Sequence, residues 1–199
     1  MLLGFFTETM ENCDSKYIIT LFGKKTHFKE LIRGWILKED HLHHPVNTFV
    51  KKTDDISLGE NETFKVVCTG DIFEEDCLHL NQQIIDCMAL SDPGPHLFIL
   101  AIDAEHTEED KVVDQIDKLR DHFGETVTSN LVVLLHSIED FQALSHLEEQ
   151  LNIKFATANE NLSSTCERWC LDREQFRYDY TNYSRDLVER RRISLNNRR

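Results

Sequence analysis

Glycine and proline are scarce. The 199 residues hold seven Gly and three Pro, which excludes a collagen-like or low-complexity chain. No Gly follows Gly124 and no Pro follows Pro95, so the last third lacks the residues that interrupt helices, and a long terminal helix is expected from about Ser163. No apolar run approaches the ~20 residues that would span a bilayer. The apolar opening Met1–Phe6 carries no basic residue and is ended by Thr7 and Glu8, so no leader peptide is expected. Positive charge is also in deficit: 22 Lys and Arg face 36 Asp and Glu, a net charge of −14. Such a body is repelled by phosphates and anionic lipid, which argues against nucleic acid as a partner and disfavours a membrane surface. The deficit is uneven, because Arg173–Arg199 contains eight Arg, no Lys and four acids and so carries +4, leaving −18 on the rest. Disulfide staples are not expected either. Six cysteines (Cys13, Cys68, Cys77, Cys87, Cys166, Cys170) sit in a long chain, with Cys68 and Cys87 inside apolar stretches, and read as reduced thiols of a cytoplasmic protein.

What is present is an ordinary globular composition, 40% hydrophobic and 29% charged, with room for one domain and an appended segment. Tyr17–Phe22, Phe64–Cys68, His96–Asp103 and Asn130–Leu135 are continuous apolar runs rich in β-branched residues. Strands of this kind are buried on both faces and belong to parallel sheets. Between the last two, Thr107–Asp110 opens a helix in which Val112, Ile116, Leu119 and Phe123 share a face, and Gly124 stops it. A second helix is expected from Ser137 through Leu144 and Leu147, then a short strand over Ile153–Ala156. His41–Glu62 reads as loop with at most a short edge strand. The expected fold is α/β, three-layered around a mostly parallel central sheet, with a domain over 1–160 and a helical extension over 161–199 that ends in a basic tail.

The first strand runs directly into Gly23 and a helix, the place where a doubly wound fold holds phosphate on free helix amides. Set against G-x-x-x-x-G-K-[ST], Gly23 and Lys29 fall into place. The stretch Ala89–Gly124 is more specific. Its Leu90, Ser91, Pro93, Gly94, Pro95 and His96, an apolar strand, then Thr107, Glu109 and Asp110 closely resemble the segment that marks the GIMAP family, GTPases of immunity-associated proteins with the avirulence-induced-gene type of G domain. The resemblance runs on through Gly23, Lys24, Lys29, Ile36 and Leu37 and covers about Tyr17–Glu160. It implies a Ras-like P-loop G domain, with GTP or GDP and Mg²⁺ as ligands and Gly23, Lys24 and Lys29 as the nucleotide-binding residues.

Three boxes depart from the family's pattern. Phe28 stands where the second loop glycine lets the backbone approach the β-phosphate, and Glu30 where Ser or Thr holds Mg²⁺. Cys68-Thr69-Gly70-Asp71 replaces an aspartate-threonine-proline-glycine box, in which the Asp orders the Mg²⁺ water and the Gly amide meets the γ-phosphate. His136-Ser137-Ile138-Glu139 replaces the threonine-arginine-lysine-aspartate that reads guanine; Asn159 is the remaining residue near the base. The expectation is a pseudo-GTPase with no catalytic residue and no resident metal, acting through a protein partner or self-association; retained nucleotide binding with switching is the alternative. His41, His43 and His44 read as a solvated loop rather than zinc ligands, and Cys166 and Cys170, one helical turn apart beside Trp169, as packing. Trp169, Phe176, Tyr180, Tyr183 and Leu187 are expected to form one apolar stripe on the terminal helix that either completes the domain's own core or docks on a partner, beyond which Arg190–Arg192, Arg198 and Arg199 project as a flexible basic end suited to an acidic surface, such as a second copy.

Overall fold

The computed structural model describes residues 16–24, 26–38, 51–52, 55–74, 77 and 79–197. The apolar opening, Lys25, the three histidines and the last two arginines lie outside the described residues. The elements in chain order are β1 (Tyr17–Gly23), α1 (His27–Leu37), β2 (Lys51–Lys52), β3 (Ser57–Glu60), β4 (Phe64–Cys68), α2 (Leu80–Leu90), β5 (Leu97–Ile102), α3 (Glu109–Phe123), a 3-10 turn (Glu125–Asn130), β6 (Leu131–Leu135), α4 (Ile138–Leu144), α5 (His146–Leu151), β7 (Lys154–Thr157), α6 (Leu162–Leu171) and α7 (Arg185–Asn196).

The four continuous apolar runs form the middle of a seven-stranded sheet ordered β2-β3-β4-β1-β5-β6-β7. β4, β1, β5, β6 and β7 are parallel, and β2 and β3 pair antiparallel at one edge. Alternate residues feed two cores. Ile19, Leu21, Ile99 and Leu134 pack under α1 and α6, while Phe22, Phe98, Leu100 and Val133 pack under α2, α3 and α7. The chain goes from β1 to β4 on one side and returns past β1 to β5 on the other, so a crevice opens at the carboxyl ends of these strands.

Several expectations shift in detail. The segment before Glu62 contains two short strands, β2 and β3, instead of one at most. α3 starts at Glu109 with Glu108 at the cap and no side-chain capping bond; Gly124 ends it with φ +87 and an N–H donated to Arg120 O. α2 escaped the sequence reading altogether. Ser137 caps α4 by accepting from the Asp140 amide.

The long terminal helix does not form. α6 ends at Leu171, and an irregular strap leads to α7. Phe176, Tyr178 and Tyr180 alternate with polar residues, a period-2 signal that competes with the helical spacing. Phe176 and Tyr178 enter the core beside Phe98 and Phe123, with the Phe98 and Phe176 rings edge-to-face at 5.0 Å. The Phe176 amide donates to Pro95 O at 2.9 Å, and Asn130 Nδ2 donates to both Glu174 O and His96 O. The single stripe is therefore split: Trp169 packs against the α1 and α6 core, the strap aromatics lie against the opposite core, and Leu187 is half exposed.

The arginines of α7 do not project freely either. Arg191 forks onto Asp86 of α2, with Nε to Oδ1 at 2.6 Å and a terminal nitrogen to Oδ2 at 2.8 Å, and Gln82 also donates to Asp86. Arg192 pairs with Glu189 and Arg190 with Asp186. Val188 and Leu195, seven apart, are the apolar residues that bury this helix. Asp86 is buried, so Asp86→Ala, which removes the forked carboxylate from Arg191, is expected to cost about 2 kcal/mol, a buried-pair loss reduced by the partial exposure of Arg191. Asp186→Ala, in an exposed pair, should cost under about 0.5 kcal/mol. Urea denaturation of both variants checks the contrast.

Candidate functional site

Gly23 ends β1 against the backbone of β5. Its φ is +129, and a Cβ would lie 2.5 Å from Ala101 O, so only glycine fits. Lys24 is half-buried, and its carbonyl accepts from the Thr26 amide at 2.9 Å. Thr26 is extended at the cap of α1, which opens at His27. The first-turn amides of α1 have no acceptor within the helix and face the loop.

Lys29 turns back across this loop. Its side chain is buried (3% exposed), and Nζ donates to Gly23 O at 2.6 Å and to Thr69 O at 2.9 Å. Gly23 and Lys29 are thus brought together by the Nζ bond to Gly23 O, and Lys24 follows Gly23 half-buried. The Thr69 carbonyl could not have been found from sequence, because a backbone acceptor leaves no residue signature.

Phe28 points toward the end of β6. It is 5% exposed and lies in the α1 and α6 core, with its ring centre 5.1 Å from that of His136 and the planes at 65°. Glu30 faces outward (57% exposed) and pairs with Arg33 at 3.4 Å. Cys68 ends β4 with its thiol buried, and desolvation pushes its pKa up to about 12 despite the nearby Arg33 and Lys29. At the next loop His136 is exposed, Ile138 is 60% exposed, and Asp140 is engaged by the Ser137 hydroxyl at 2.7 Å. Asn159 lies exposed past β7, its side-chain oxygen accepting from the Asn161 amide. No group of three or more His, Cys, Asp or Glu arranged to hold a metal occurs among the described residues. Cys166 and Cys170 are buried in the α1 and α6 core with raised pKa values, as packing residues would be.

Of the residues that carried the family resemblance, Leu90 to His96 lie at the amino end of β5, and Thr107, Glu109 and Asp110 lie past its carboxyl end, where α3 opens. The Ser91 hydroxyl meets the Tyr178 hydroxyl at 2.6 Å and donates to Cys87 O. Gly94 has φ +151, and a Cβ there would fall 1.9 Å from Phe176 O. His96 Nδ1 accepts from the Ile18 amide at 3.0 Å, a role that requires the neutral ring, and burial lowers its pKa accordingly. This stretch receives the strap.

The AIG1 family model matches residues 43–178. The chain belongs to the AIG1 family. The match bears out the resemblance but shifts its extent: it begins past the loop that contains Phe28 and Glu30 and runs on through the strap to Tyr178. No curated protein matches this chain. Among solved structures, the G domain of the T. maritima FeoB iron transporter is similar with a TM-score of 0.52 at 10% identity, over 79% of this chain and 98% of that one. The cytosolic domain of the same transporter in a GDP form is similar with a TM-score of 0.52 at 11% identity, over 84% of this chain and 69% of that one. These likenesses show the fold, a Ras-like G domain, and no helix among the described residues is long and apolar enough to cross a membrane.

The buried thiols of this AIG1-family G domain set a pH limit. Cys68, Cys87 and Cys170 are raised from 9.0 to about 12 by desolvation. The unfolded chain therefore releases these protons first, and stability present below pH 9 is lost as pH rises toward 12. Each thiol removes up to about 1.4 kcal/mol per pH unit in that window. Thermal melts from pH 7 to 11 should show a plateau and then a steep decline, and Cys68→Ser should not alter the plateau's upper edge by more than its single share.

Proposed function

We propose that this G domain is a pseudo-GTPase that acts through protein contact rather than turnover. The observation that supports this most directly is the Phe28 ring on His136. On a G fold a guanine nucleotide lays its phosphates at the loop from Gly23 to Lys29 and its base at the loops after β6 and β7, so it has to pass between the start of α1 and the end of β6. Phe28 and His136 meet in a ring contact beside that path.

The remaining groups fit Mg²⁺–nucleotide no better. A hard cation takes oxygen ligands, and Cys68 offers a thiol that stays protonated far above neutral pH. Glu30 brings a carboxylate where the nucleotide's own oxygens are negative, and it turns to Arg33 instead. At the base box, Ile138 has no charge to stack on guanine and Glu139 is one methylene longer than the aspartate of the pattern. Ile138 is instead an exposed apolar side chain at the mouth of the crevice, where a protein partner gains by covering it. The second reading, retained GTP or GDP binding through Gly23, Lys24 and Lys29, is favoured by one observation, the loop still curled by the Lys29 bond to Gly23 O.

Titration calorimetry with GTP and Mg²⁺ decides between them. The expected outcome is no binding tighter than about 100 μM and no hydrolysis; micromolar binding would overturn the pseudo-GTPase reading. The groups act on one ligand and should couple. Phe28→Gly with Glu30→Ser should restore some phosphate affinity, and selectivity for guanine should appear only when Ile138→Lys and Glu139→Asp are added.

A further inference from the structure

We propose that Lys29 takes the nucleotide's place as the tie between the first loop and the segment Thr69–Phe73, so that this segment and α2 hold one conformation without any ligand. The inference rests on the pseudo-GTPase reading and extends it to how the molecule is regulated: the segment that a γ-phosphate would move is held by the protein's own groups.

A buried ammonium has to find acceptors, and charge-assisted bonds to carbonyls are the strong kind. Lys29 finds two on different elements, Gly23 O at the end of β1 and Thr69 O just beyond β4. Thr69 is held a second time, its amide and hydroxyl both donating to Leu21 O at 3.1 and 3.4 Å. Gly70 then passes beneath α2 so closely that a Cβ would stand 2.7 Å from Gln83 Oε1 and 3.2 Å from Asp55 O. Asp71 accepts from the Phe73 amide at 3.0 Å, and Ile72 and Phe73 are buried in the core beneath α2 and α3. Lys118 of α3 closes the set by donating to Phe73 O at 3.2 Å. Every residue from Thr69 to Phe73 is therefore positioned by a side chain, a backbone bond or the core. From there α2 continues the fixed geometry to α7 through Asp86 and Arg191.

Lys29 in this role is a positioning residue, and two measurements on the full chain test it. In nucleotide-free protein, the Lys29 Nζ resonance should be visible and slowly exchanging, with couplings across the hydrogen bonds to the carbonyl carbons of Gly23 and Thr69. Hydrogen–deuterium exchange should show the same protection over Thr69–Phe73 and α2 with and without 1 mM GTP and Mg²⁺. Lys29→Met should speed exchange there by roughly tenfold, while β6 and α3 stay as in the unchanged chain. Absence of the coupling to Thr69, or a Lys29→Met chain that folds and keeps its original exchange over Thr69–Phe73, would overturn the proposal. The resonance is measured on the unaltered chain, so the question is decided even if Lys29→Met does not fold. Nucleotide protection confined to the loop from Gly23 to Lys29 would refute the pseudo-GTPase reading and leave the tie standing; protection that spreads to Thr69–Phe73 would refute both.

Discussion

Five parallel strands with no polar face require cover on both sides, and most of the molecule follows from that demand. β1 stands in the middle, and residues alternate into two cores. α1 and α6 close one face. The other face is wider, and α2 and α3 do not complete it: Phe176 and Tyr178 of the strap and Val188 and Leu195 of α7 fill what remains. Fully buried side chains of this size contribute about 1.5 to 3 kcal/mol each, more than enough to hold the twelve-residue α7 on the domain. The segment after β7 is thus part of the same hydrophobic unit as the sheet.

This demand also separates the two ends of the strands by role. At the amino ends, Ser91, Gly94, Pro95 and His96 form a receptacle for the strap, with Gly94 required by the close passage of Phe176. Ser91, Gly94, Pro95 and His96, part of the stretch that carried the family resemblance, therefore hold the strap here. At the carboxyl ends the crevice is built as in any doubly wound sheet, but its contents are local. Phe28 leans on His136, Lys29 bonds to two carbonyls, and Glu30 and Asp140 turn to neighbours on their own helices or caps. Each of these four side chains is thus engaged with the protein itself.

The strands were legible because burial on both faces leaves uninterrupted runs such as Phe64–Cys68 and Asn130–Leu135, and α3 because its apolar residues keep a single period to Gly124. α2 was not, since it is buried nearly all round and its Ile84, Ile85, Met88 and Ala89 mark no clean stripe. The terminal segment was misread for a related reason. Phe176, Tyr180 and Tyr183 fit a helix, while Phe176, Tyr178 and Tyr180 fit an extended chain, and only the core into which Phe176 and Tyr178 insert selects between the two periods. At the site, Gly23 and Lys29 stood out by their spacing, and the replaced residues by their chemistry.

The sequence by itself determined the fold class, the family and the identity of every altered box, because these reside in residue type and spacing along the chain. Tertiary structure alone decided what those residues touch. That Phe28 meets His136, that Lys29 reaches the carbonyl of Thr69, and that Arg191 is bound to Asp86 depend on contacts between residues 40 to 108 positions apart. Such contacts exist only once the sheet has set its register, and a carbonyl acceptor or a ring's direction leaves no trace in the order of amino acids.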